Sequence, residues 1–100
     1  MYNEGMRNEF FEWDDDKAVL NLRDHKVSFE EACTVFDDAF AVTRIDKREK
    51  YGELRLATIG MSNRNRLLTV AWTPRGERNR LISAFPATAE RRKIYEKQQH

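Results

Sequence analysis

The 100-residue chain contains one cysteine, two histidines, two prolines and four glycines, and each scarcity closes a class of function. With Cys33 alone there is no internal disulfide and no CxxC pair. One of the two histidines is His100, the last residue, so a Cys/His zinc site is excluded. None of GxxxxGKS/T, GxGxxG or GxSxG occurs, which removes the phosphate-cradling loop, the dinucleotide fingerprint and the nucleophile elbow. Apolar runs extend only a few residues, too short for a membrane-spanning helix or the apolar region of a signal peptide. What is present is 40% hydrophobic and 35% charged, with six Phe, two Trp and three Tyr, a content that argues against intrinsic disorder. At this length folding buries roughly 60–70% of the unfolded surface, enough for one modest core. The expectation is a cytosolic α+β domain that works without a cofactor and away from membranes.

The net charge of +1 conceals an asymmetry. Residues 1–53 hold 8 Lys/Arg against 14 Asp/Glu, and residues 54–100 hold 10 against 3. An acidic first half and a basic second half point to an anionic partner for the second, unless the halves attract each other or simply present solvated faces. Eight of those ten cations are arginine, whose planar fork suits bidentate contact with phosphate.

Residues 1–8 read as a flexible tail, with Met6 an alternative start, residues 9–97 as one domain, and residues 98–100 as a C-terminal tail. Glu9–Trp13 predicts a short strand. Asp14-Asp15-Asp16 then starts a helix, with Asp14 as N-cap and acids at the positive end of the dipole. That helix carries Ala18, Val19 and Leu22 on one face and stops near His25. Ser28-Phe29-Glu30-Glu31 has the form of a capping box, and Phe29, Ala32, Cys33 and Phe36 follow at i, i+3, i+4 and i+7, the face of a helix turned to a core. Cys33 lies on that stripe as a small core residue. From Ala39 the period changes to two, and Phe40–Ile45, Leu54–Ile59, Leu67–Thr73 and Arg80–Phe85 read as strands. The polar turns between them, Asp46–Gly52, Ser62–Asn65 and Pro74–Glu77, are short enough for antiparallel hairpins. Thr88 caps a last helix over Ala89–Lys97. The predicted fold is α+β in the order β-α-α-β-β-β-β-α, a twisted antiparallel sheet with helices packed on one face.

The string Phe11-Glu12-Trp13-Asp14 followed by Lys17, Asn21-Leu22 and His25 resembles the opening of the BrnT toxins of type II toxin–antitoxin modules. Val27-Ser28-Phe29-Glu30-Glu31-Ala32 with Val35-Phe36-Asp37-Asp38, then Gly52-Glu53, Arg55 and Ile59-Gly60, continue the resemblance. So do Arg80-Leu81-Ile82-Ser83-Ala84, Ala87-Thr88, Glu90-Arg91 and Tyr95-Glu96. The likeness spans about Phe11–Glu96. It implies a RelE-like fold and a cytoplasmic, metal-independent endoribonuclease that cleaves RNA and inhibits translation. It also implies hetero-oligomeric neutralisation by a BrnA-like antitoxin, through which alone operator DNA is bound. Three features depart from the pattern. Lys26 stands where a Gly usually follows the His, Lys47-Arg48-Glu49-Lys50 replaces a loop that often carries His, and Phe85 replaces the Arg of a Ser-Ala-Arg. Phe85 opens an alternative: a catalytically attenuated relative that binds its antitoxin and serves in operon autorepression.

RNA cleavage without a metal needs a base for the 2′-hydroxyl, cations for the phosphorane and an acid for the leaving 5′-oxygen. Arg55 and Arg80, in or beside strands, are the candidate phosphate contacts, and Lys17 is a second electrostatic candidate. His25 is the internal group whose ordinary pKa lies near neutrality, with a helix C-cap as its structural alternative. Glu53 and Tyr95 complete the acid–base candidates; the alternatives are an ion pair with Arg55 for the first and a core anchor for the second. Arg80 needs a partner if its strand face is buried. Arg64, Arg66, Arg91 and Arg92 are candidate RNA contacts, the last two equally an antitoxin dock or a solvated face.

Overall fold

The computed structural model describes residues 9–48 and 52–98. The expected tail at 1–8, the middle of the Asp46–Gly52 turn, and residues 99 and 100 lie outside the described residues. The strands are β1 (Phe11–Glu12), β2 (Val42–Arg48), β3 (Leu54–Met61), β4 (Leu67–Arg75) and β5 (Arg78–Pro86). The helices are α1 (Asp15–His25), α2 (Phe29–Thr34), which runs into a 3-10 turn at Val35–Asp37, and α3 (Ala89–Lys97). The chain order is therefore the predicted β-α-α-β-β-β-β-α, and the sheet order is β1-β5-β4-β3-β2. Strands β2 to β5 form an antiparallel meander, whereas β1 joins the far edge parallel to β5, with Phe11 opposite Asn79 and Glu12 opposite Arg80. Strand β2 begins later than predicted because Asp38 holds the preceding turn: its carboxylate accepts from the Phe40 amide at 3.0 Å and its carbonyl from that of Ala41 at 3.0 Å.

Successive strand residues face opposite ways. Leu68, Val70, Leu81 and Ala84 pack against Trp13, Val27, Phe29, Ala32 and Val35 under α1 and α2, Leu81 and Ala84 sharing a face because a bulge at Ile82 resets the alternation. Leu67, beside Leu68, turns instead to Ile59, Ile94 and Tyr95, so α3 covers the reverse face near the β3–β4 turn. Gly60 marks how closely the 3-10 turn presses on β3, since a Cβ there would come within 2.8 Å of Val35 Cγ1.

Helix α1 begins as its acids predict, with Asp14 Oδ1 accepting from the Asp16 amide at 2.8 Å. Its inward face is the predicted one only at Ala18, which packs against the core. Val19 and Leu22 are 66% and 52% exposed, whereas Asn21 is 5% exposed. The cause lies in the sheet. Strand β1 covers only the start of β5, which leaves the Ala84 peptide groups facing outward. The Asn21 carboxamide takes them both, Oδ1 accepting from the Ala84 amide at 3.0 Å and Nδ2 donating to the Ala84 carbonyl at 2.8 Å. Nδ2 also donates to the Val27 carbonyl at 2.8 Å. Each of these three peptide groups would cost about 1–3 kcal/mol if buried without a partner, and Asn21 is the residue that bonds them all, so the helix turns its polar residue inward.

The capping box is half formed. Ser28 Oγ accepts from the Glu31 amide at 3.0 Å. The Glu31 carboxylate does not return the bond; it is buried against both forks of the Arg66 guanidinium and the Ser62 hydroxyl. The Arg66 guanidinium, helped by Ser62, holds the Glu31 carboxyl below the usual glutamate range against the opposing effect of burial. Burial, with Glu30 and Asp37 nearby, pushes the Cys33 thiol up to about 12, which suits a core residue and not a nucleophile.

Two expectations follow. The stability tied to Glu31 is complete above the unfolded glutamate pKa of about 4.3 and is lost as the pH falls through it toward the lower folded value. Glu31→Gln should therefore cost about 2 kcal/mol in urea unfolding at pH 7 and distinctly less at pH 3. Lys26 ends α1 at φ +61°, a left-handed conformation that glycine adopts freely. Lys26→Gly should raise stability by about 1 kcal/mol, read as a higher melting temperature.

Candidate functional site at the outer end of the sheet

A cleft of about 350 Å³ opens where β3 starts, β4 ends and β5 begins. Its chemistry comes from Lys17, Glu53, Arg55, Arg75 and Arg80. The register explains the convergence. Arg80 lies opposite Thr73, and Arg55 is one residue before Leu56, the partner of Trp72. Because Trp72 and Leu81 face the core under α1 and α2, Arg55, Thr73 and Arg80 form a row across three strands on the reverse face. Neighbouring strands are about 4.8 Å apart, so the two arginines rise from backbones about 10 Å apart. Thr73 separates them with a small side chain, its hydroxyl donating to the Leu54 carbonyl at 2.6 Å. Lys17 enters from the first turn of α1 and Arg75 from the end of the β4–β5 hairpin, whose turn Gly76 closes at φ +62°.

Two carboxylates orient these cations. Arg55 Nε donates to Glu53 Oε2 at 3.4 Å in a partly exposed pair. Arg80 Nη1 donates to Glu12 Oε2 at 3.0 Å, both side chains being largely buried. Among the described residues, Lys17 and Arg75 stand in no ion pair. The result is four cations around one opening with Glu53 on its wall, a field suited to a phosphodiester.

A second groove of about 210 Å³ adjoins the cleft, sharing Lys17 and Ile82 with it and continuing past Asn21 to His25. His25 packs on Phe85 with ring centroids 5.6 Å apart at 51°. Position 85, where the resemblance leads one to expect arginine, thus meets the histidine at the far end of this groove. Among the described residues no three His, Cys, Asp or Glu side chains gather as a metal site requires.

Of the residues singled out in the sequence, Lys17, Glu53, Arg55 and Arg80 share the cleft and His25 lies in the adjoining groove. Tyr95 does not join them. It is buried on the α3 side, its hydroxyl donating to Asp38 Oδ2 at 2.7 Å. The Asp38 carboxyl, though partly buried, is held below the usual range by the Met61 and Phe40 amides and this hydroxyl. Arg64 and Arg66 belong to the β3–β4 turn, about 20 Å along the strands from the cleft. Arg66 is spent on Glu31 and on the Lys26 carbonyl, the latter at 2.9 Å. Arg91 pairs with Asp46 at 3.2 Å and lines a separate cleft of about 300 Å³ between α3 and β2, while Arg92 is exposed on α3. Sequence reasoning missed Glu12, Asn21 and Arg75. For Glu12 a signal existed: it alternates with Phe11 and Trp13, which marks it as turned away from the core.

The family described as "Ribonuclease toxin, BrnT, of type II toxin-antitoxin system" matches residues 13–90. No curated protein matches the chain. Among solved structures, the fold is similar to the 1.1 Å crystal structure of the Brucella abortus ribonuclease toxin BrnT, with a TM-score of 0.61 at 24% identity, covering 76% of this chain and 92% of that one. Since the family match takes in most of the chain, including Lys17, Glu53, Arg55 and Arg80, this protein belongs to the BrnT family of ribonuclease toxins of type II toxin–antitoxin systems.

Proposed function

We propose that the chain is a metal-independent endoribonuclease whose reaction takes place in the cleft of Lys17, Glu53, Arg55 and Arg80. Membership of the family carries ribonuclease activity and an antitoxin protein partner. The convergence of four cations and one carboxylate at the end of the sheet supports the finer reading. In it, the 2′-hydroxyl attacks the adjacent phosphorus, the 5′-oxygen leaves, and a 2′,3′-cyclic phosphate remains. Arg55 and Arg80 bracket the phosphorane's equatorial oxygens from two strands, with Lys17 as a third charge from α1. Both arginines are mounted on strands, so the geometry is set before RNA arrives. Glu53, next to Arg55, accepts the 2′-hydroxyl proton and water protonates the leaving 5′-oxygen, while His25, beside Phe85 and about 17 Å along β5 from Arg80, meets the RNA strand beyond the scissile phosphate. The product of this chemistry on mRNA is a block of translation.

The partner in this reading is a BrnA-like antitoxin, with operator DNA contacted only through it. An acidic, amphipathic segment suits the cationic cleft by charge and its rim by burial. A specific observation also supports the attenuated alternative: Phe85 packs on His25, which lines the adjoining groove, with a ring that donates nothing to phosphate.

Cleavage of a defined RNA by the purified chain in excess EDTA tests the proposal. Wild type should cleave, and Arg80→Ala should be slower by about 100-fold or more while retaining its melting temperature. A folded Arg80→Ala variant that cleaves normally removes Arg80 from the site. Cleavage by Phe85→Arg alone would assign the wild-type chain to the attenuated class.

A further inference from the structure

We infer that Glu12 is a positioning residue of this cleft: through its ion pair with Arg80 it aims the guanidinium at the scissile phosphate without touching RNA itself. The inference rests on the ribonuclease reading of the cleft.

The backbone fixes Glu12 unusually well for so short a strand. It sits directly opposite Arg80 in the parallel β1–β5 pairing, and the Phe10 carbonyl accepts from the Asn79 amide at 2.8 Å just before it. The residues on either side are anchored in the core by their rings, Phe11 on Phe36 at 5.0 Å and Trp13 on Phe29 at 5.6 Å. With its neighbours turned inward, Glu12 must turn outward, to the face where Arg80 stands. Its side chain is 19% exposed and that of Arg80 28%, so water competes little for this contact.

The form of the contact matters. Among the described residues Arg80 donates through Nη1 alone, to Glu12 Oε2 at 3.0 Å. A guanidinium has five N–H groups, so one tooth is spent on orientation and four remain for an anion. A two-toothed pair would have covered the edge that phosphate needs. Glu12 itself does not line the cleft and meets it through Arg80. Its negative charge opposes phosphate binding, so a role in affinity would select against it. Orientation is what it can supply: a fixed Arg80 stabilises the transition state more than a mobile one, although a mobile one would bind the ground state as well or better.

The test is steady-state cleavage of a defined RNA in EDTA by wild type, Glu12→Ala, Glu12→Gln, Arg80→Ala and the Glu12→Ala/Arg80→Ala double variant, each shown to be folded by its melting curve. Glu12→Ala should lower kcat by about tenfold or more with KM unchanged or lower. Glu12→Gln, whose amide oxygen still accepts from Nη1, should recover most of that loss. The double variant should be no slower than Arg80→Ala. Losses that multiply in the double variant, a raised KM at retained kcat, or a Gln variant as slow as the Ala variant would each overturn the positioning role. If Arg80→Ala cleaves at the wild-type rate, the cleft reading itself fails and takes the inference with it. That outcome is distinct from a slow Arg80→Ala beside a fast Glu12→Ala, which sinks the positioning role alone. Side-chain NMR gives a readout free of turnover: Arg80 guanidinium rotation should be restricted in wild type and Glu12→Gln and free in Glu12→Ala, and equal mobility in all three overturns the inference.

Discussion

Strand β5 has a full partner on one side and almost none on the other. Strand β1 reaches only to Arg80, and beyond it the peptide groups of Ala84 would face outward with nothing to bond. Asn21 resolves this by presenting a carboxamide to a peptide, donor to acceptor and acceptor to donor, as a neighbouring strand would. The same side chain closes the α1–α2 connection by bonding the Val27 carbonyl. Helix α1 is thereby held along the sheet edge, and its Lys17 and His25 line the grooves beside β5 instead of facing solvent elsewhere. Positioning the site and satisfying the backbone are the same event in this fold.

The rest of the site is a matter of strand register. Residues far apart in sequence, such as Glu12 and Arg80 or Glu53 and Arg75, become neighbours because three strands end together at the β4–β5 hairpin. The arginine-rich second half of the chain does not form one uniform basic surface. Arg66 is consumed by the buried Glu31, Arg91 by Asp46, and Arg55 and Arg80 are each steered by a carboxylate. The acidic first half therefore acts partly as an internal scaffold for the cations of the second. The pairs that remain exposed contribute little to stability, so their value lies in orientation.

Much of this was legible in the sequence. Caps at Asp14, Ser28 and Thr88 and the switch from a helical to a two-residue period set the element order, because these signals are local. Apart from Ala18, the inward face of α1 was not legible: hydrophobicity favoured Val19 and Leu22, and only the unpaired edge of β5 makes Asn21 the buried residue. Glu31 read as a reciprocal cap because its distant partners Ser62 and Arg66 cannot be seen from local spacing. The parallel pairing of a two-residue β1 was hidden for the same reason. Residue chemistry pointed to Lys17, Glu53, Arg55 and Arg80, but their common cleft depends on register, as does the separation of Tyr95 from it. The glycine missing at position 26 has a physical counterpart, since Lys26 adopts the left-handed turn itself.

In the proposed reading, RNA meets the protein at the end of the sheet where β3 begins and β5 starts, alongside α1. Backbone and side-chain NMR of the ¹⁵N-labelled chain, titrated with a short RNA carrying a 2′-deoxy block against cleavage, tests this most directly. The predicted result is that the largest shifts fall at Lys17, Arg55, Arg75, Arg80 and Ile82. Shifts concentrated instead on the β3–β4 turn around Arg64 and on Arg91 and Arg92 of α3 would contradict it.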